Sequence, residues 1–146
     1  MMKQAIEVLN SSGCSCVIEK NGTVLYRLEG IGVKPILTMM REHPEDLKGA
    51  AVADKVIGRA AATALILGGA AEVYGRVMSE AGKQRLEEYG IPCSYGQLTQ
   101  RIDNRDGTDM CPLEKASFES EDLREGFEAM LRFIESKMKM QKEGKE

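Results

Sequence analysis

Ala50-Ala51-Val52-Ala53-Asp54-Lys55-Val56-Ile57-Gly58-Arg59-Ala60-Ala61-Ala62-Thr63-Ala64-Leu65-Ile66-Leu67-Gly68-Gly69 is the most informative stretch of this chain. Ala50–Ala53 is a short apolar run of the kind a buried strand uses. Ile57–Leu67 reads as a helix dominated by alanine, a side chain small enough to let a helix lie close on a sheet. Gly68-Gly69 ends it, because glycine takes the left-handed conformation that closes helices. The pattern then repeats. Glu72-Val73-Tyr74-Gly75-Arg76-Val77 reads as a strand. Ser79 opens a helix as its cap, with Glu80 in the first turn and Gly90 beyond its end. Ile91–Tyr95 is a further short strand, placed near an edge because Pro92 cannot donate to a ladder.

The flanks complete the order. Residues 2–10 set Ile6 and Leu9 on one face of a short helix. Cys14–Glu19 and Thr23–Leu28 surround Lys20-Asn21-Gly22, and Asn-Gly accepts positive φ at both centres of a tight hairpin turn. Pro35 suits the first turn of a helix that His43-Pro44 should close. Residues 100–114 read as a polar loop, and residues 120–140 as a long helix with Leu123, Phe127, Met130, Leu131, Ile134 and Met138 at helical spacing. Met130, Met138 and Met140 read as helix packing. A hairpin followed by strand–helix units implies a mixed sheet with helices on both faces, in one domain spanning 1–146.

Composition narrows the function. The 146 residues carry a net charge of -3, so no field favours nucleic acid or an anionic membrane. With no Trp and 5% aromatics, base-stacking platforms are poorly supplied. The longest apolar run, around Ala60–Leu67, is too short to span a bilayer. Four cysteines without a secretory leader point to reduced thiols in a cytoplasm.

In open α/β sheets, ligands sit beyond the carboxyl ends of parallel strands. Asp54–Gly58, Met78–Glu80 and the loop after Tyr95 should reach that edge. Asp54 reads either as a ligand-facing acid or base, or as the cap of the helix behind it; Lys55 is then a ligand contact or a solvated first-turn residue. Gly58 falls in the helix's first turn, where glycine costs about 1 kcal/mol against alanine, so something approaches closely there. Ser79 fits a helix cap better than a nucleophile, because no histidine is placed to activate it. Cys111 lies in a polar setting, where Arg101 or Arg105 could lower its pKa, or it is an inert thiol beneath the last helix. Cys14 and Cys16, on alternate strand positions, would share a face, for a soft metal or simply as small core residues.

His43-Pro44-Glu45 and Pro92-Cys93-Ser94-Tyr95-Gly96 echo the H-x-E and P-C-x-x-C of zinc base deaminases. The echo fails: Gly96 cannot ligate, and His43 closes a helix where the motif should open one. His43 is also the only histidine, so no metal site is expected here.

The run Ala53–Ala62, with Asn104-Arg105 and Met110-Cys111-Pro112-Leu113-Glu114, resembles the domain of unknown function 1893 family over about residues 10–115. That resemblance implies a cytidine deaminase-like fold, a three-layer α/β/α sandwich around a mixed sheet. It also implies a lost zinc site, because neither helix start, near Ile57 or Ser79, carries Cys or His. The family's segments point to Asp54, Lys55, Asn104, Arg105, Cys111 and Glu114 as the site, and supply no activity.

The expectation is a metal-independent, cofactor-free protein that binds a small nucleotide-like or other anionic ligand. Asp54 and Cys111 would be its chemical groups, and Lys55, Gly58, Ser79, Asn104, Arg105 and Glu114 its ligand contacts. The alternative is a non-catalytic oligomeric binding or regulatory module, a homodimer built on the open sheet edge and the last helix; a zinc-dependent deaminase ranks third.

Overall fold

The computed structural model describes residues 3–30, 32–103 and 109–143, with side chains from Gln4 to Lys137. The Met138 and Met140 side chains lie outside that range.

Helix α1 (Lys3–Ser11) leads into the hairpin β1 (Cys16–Lys20) and β2 (Thr23–Leu28). Asn21 and Gly22 take φ of 54° and 78°, as the turn chemistry requires, and Lys20 pairs with Thr23 across them. Helix α2 (Lys34–Glu42) starts with Pro35 in its first turn and stops at His43; a single further turn, α3 (Pro44–Leu47), follows.

The decisive stretch folds as β3 (Ala51–Ile57) and α4 (Arg59–Gly68), closed by Gly69 at φ 80°. The strand therefore runs four residues past Ala53. Asp54 and Lys55 are strand residues, not the lead-in to a helix, because the ladder holds them. Asp54 pairs with Cys16 on one side and Gly75 on the other. Next come β4 (Glu72–Ser79), α5 (Glu80–Glu88) and β5 (Cys93–Thr99). Segment 100–114 is not all loop, since α6 (Pro112–Ser117) begins within it, with proline at its start. Helix α7 (Leu123–Glu143) is started by Asp122, which accepts from the Glu125 N–H at 2.9 Å.

The sheet order is β2-β1-β3-β4-β5, with β3, β4 and β5 parallel and the hairpin antiparallel. This is the mixed α/β sheet expected. Both parallel crossovers step the same way, so right-handedness puts α4 and α5 on one face. They bury the larger core there, with Ile36, Val52, Ile57, Leu65, Val73 and Leu86. Among the described helices, α1 covers the opposite face, through Ala5, Leu9, Val17 and Ala53. Cys14 joins this smaller core and Cys16 the larger one. They do not share a face, because Cys14 precedes the strand and escapes its alternation. No helix among the described residues is long and apolar enough to cross a membrane.

Candidate functional site

The carboxyl ends of β3, β4 and β5 fall at Ile57, Ser79 and Thr99. Gly58 bridges β3 to α4 with φ -105° and ψ -169°, extended backbone that any residue adopts. Its lack of a side chain answers to space instead. A Cβ there would lie 1.9 Å from Oε1 of Glu114. That carboxylate accepts from the Arg59 N–H at 2.8 Å through Oε1 and from the Ala60 N–H at 2.6 Å through Oε2. It thus satisfies two of the free donors that open α4. Burial pushes the Glu114 carboxyl up, while the two N–H groups and the Arg59 charge pull the other way. The close approach inferred at Gly58 is real, and its source is the chain's own carboxylate. Gly82 adds a second one, since its Cβ would meet the Gly58 backbone at 2.9 Å.

Arg59 locks the same corner from the other side. Its buried guanidinium donates to the carbonyls of Ser117 at 3.1 Å and Ser120 at 3.3 Å and lies over the Phe118 ring. Arg85, on α5, is 1% exposed and donates to the Glu121 carbonyl at 2.9 Å. Two buried cations therefore hold the segment joining α6 to α7. Neither stood out in the sequence; an arginine inside an alanine run was the available signal for Arg59.

Beside this corner is a small pocket of about 60 Å³. Val33, Val56, Ala61 and Leu113 give it an apolar wall, and Cys111 and Glu114 supply its sulfur and its carboxylate. Cys111 sits just before α6, its N–H donating to the Ile102 carbonyl at 2.8 Å. Arg101 is paired with Asp103 at 2.6 Å.

The structure therefore brings Gly58, Cys111 and Glu114 together. Asp54 is two residues from Val56 on β3 but does not line the pocket. It is 3% exposed, in the sheet interior, with Cys16 and Gly75 across from it. Oδ1 accepts from the Val56 N–H at 3.1 Å, and Oδ2 has no hydrogen-bond partner among the described residues. Burial pushes this carboxyl up to about 6 against the pull of the Val56 N–H and the Cys16 thiol. Burial first, then the neighbouring Asp54, holds the Cys16 thiol well above its ordinary range. Lys55, half-buried, alternates to the other face from Asp54. Ser79 is a cap, its Oγ accepting from the Gly82 N–H at 3.0 Å. Asn104 and Arg105 lie outside the described residues.

His43 stacks on Tyr26 and places a ligand atom within 4.8 Å of those of Glu45 and Asp46. The Tyr26 hydroxyl already donates to Asp46 at 2.7 Å, and His43 is no part of the pocket.

Fold and site together define an α/β protein with a mixed five-stranded sheet and an apolar pocket at the carboxyl end of its central strand. The chain belongs to the family described as Domain of unknown function (DUF1893), which it matches over residues 4–134. It is similar to the crystal structure of a DUF1893 family protein from Thermotoga maritima, at 26% identity and a TM-score of 0.80, over 93% of this chain and 88% of that one. Acinetobacter baumannii RibD matches at 22% identity and a TM-score of 0.46, over 65% of this chain and 34% of that one. A dCMP deaminase from the cyanophage S-TIM5 matches at 15% identity and a TM-score of 0.45, over 64% of this chain and 92% of that one. No curated protein matches the chain.

Proposed function

We propose that this chain binds a small, largely apolar, uncharged molecule at the carboxyl end of β3, in the pocket between Val56 and Cys111. The observation that carries this reading is the wall itself: apolar side chains, one thiol and one carboxylate already engaged. The anionic ligand that the sequence suggested fits this wall less well. Glu114 holds the α4 N–H groups that would have received an anion, and a second negative charge beside it would be repelled. Lys55 is not in the wall.

Zinc does not suit the donors at this place. The starts of α4 and α5 carry Gly58-Arg59-Ala60 and Ser79-Glu80, where a catalytic zinc site needs three protein ligands, chiefly His, Cys or a carboxylate. Among the described residues, the carboxylate that reaches the α4 start is Glu114, and it is spent on two backbone donors. Covalent chemistry, on this reading, belongs to Cys111.

The test combines alkylation with ligand screening. Iodoacetamide should label Cys111 fastest of the cysteines, because Cys14 and Cys16 are buried and burial raises the Cys93 thiol. Val56→Phe, at the exposed rim of the pocket, should slow that labelling several-fold. Neutral heteroaromatic compounds should raise the melting temperature of the wild-type protein and not of Val56→Phe. Stabilisation by inorganic phosphate or nucleoside monophosphates alone, unaffected by Val56→Phe, would return the anionic reading.

A further inference from the structure

The two edges of the sheet are built differently. At the β2 edge the pairing with β1 slips between Ile18 and Glu19, Arg27 places a charge in the strand, and the Tyr26 hydroxyl is tied to Asp46. A slipped, charged, tethered strand is a poor template for another chain. The β5 edge has none of these devices. Its register with β4 is regular from Cys93 to Thr99, and Cys93-Ser94-Tyr95-Gly96-Gln97-Leu98-Thr99 holds no charge and no proline. The five central residues are exposed, including Tyr95 and Leu98, and Tyr89 is exposed just before the strand. The α1 face of the sheet is also thin here, since α1 packs over β1, β2 and β3. A seven-residue edge of this kind offers a ladder about 23 Å long.

We infer that β5 pairs antiparallel with β5 of a second copy of this chain, about a two-fold axis at Gly96, joining two sheets into one. Two features select a second copy. The strand opposes no charge to itself, so self-pairing brings no like-charge clash. The two-fold sets Tyr95 beside Gln97, Ser94 beside Leu98 and Cys93 beside Thr99, with the side-chain-free Gly96 on the axis.

Sedimentation velocity at about 50 μM should give twice the chain mass for the wild-type protein. Tyr95→Lys combined with Leu98→Lys should give a monomer with unchanged circular dichroism, because both positions are exposed. The register is tested by Thr99→Cys with copper–phenanthroline as oxidant. It should yield a covalent dimer through the native Cys93, lost when Cys93→Ser is added. Within one strand these positions lie about 20 Å apart, too far for a disulfide in the same chain. A wild-type monomer, a dimer indifferent to the lysines, or the absence of the crosslink would overturn the proposal.

Discussion

Replacing Asp54 by asparagine removes a buried charge without changing its shape, so stability should gain most where that charge is forced to form. In the folded protein the carboxyl titrates at about 6; in the unfolded chain it returns to its ordinary 3.8. Below 3.8 both states are protonated and the site contributes its full stability. Between 3.8 and about 6 the unfolded chain loses its proton while the folded protein keeps it, so stability falls as pH rises. Above 6 the loss is complete. At about 1.4 kcal/mol per pH unit of separation, it amounts to roughly 3 kcal/mol. Urea unfolding of wild type and Asp54→Asn should be followed from pH 3.5 to 8. The difference between them cancels the titrating groups that do not touch Asp54, Glu114 included, and the Cys16 thiol, which does touch it, stays protonated in the folded protein over this range. It should move in favour of the variant by about 3 kcal/mol across that range and flatten above pH 7, with the same urea dependence in both proteins. A difference that stays flat, or moves the other way, would refute the picture of an uncompensated carboxyl in the sheet. A residue that lowers stability at neutral pH is also the kind that function retains.

Gly58→Ala should cost about 2–4 kcal/mol in urea unfolding, because the new methyl takes the place of the Glu114 carboxylate. Adding Glu114→Ala to that variant should cost little more, the two changes destroying one contact; full additivity would mean that they act separately. Ser79→Ala should cost about 1 kcal/mol through the lost α5 cap, with no effect on Cys111 labelling. Arg59→Ala should free the Ser117–Ser120 carbonyls, so limited digestion with a glutamate-specific protease should cut after Glu119 or Glu121, between α6 and α7, at least ten-fold faster, and an unchanged rate would show the latch to be ornamental.

Some of this architecture was legible one residue at a time. Asn21-Gly22 specifies its turn through backbone freedom alone, Gly69 closes α4, and Ser79 caps α5, each through neighbours no more than a few positions away. The alanine run and its flanking strands gave the parallel half of the sheet for the same reason: periodicity is a local property. Asp54 shows where such reading stops. By itself an aspartate before a helix looks like a cap, and only the ladder to Cys16 and Gly75 makes it a strand residue. Glu114 shows it again. In the sequence it is one acid in a polar segment, and what it does depends on two N–H groups 55 and 54 positions away.

The sequence by itself determined the order of the main elements, the hairpin, the glycine close of α4, the cap of α5 and the edge of the sheet where a site would fall, because these follow from nearest-neighbour sterics and from which face of each element is apolar. Only the tertiary structure decided which carboxylate meets which helix start, that Asp54 is sealed away from the pocket and that Cys111 lines it. Those outcomes depend on how distant segments share a fixed, closely packed volume, and no local signal encodes that contest.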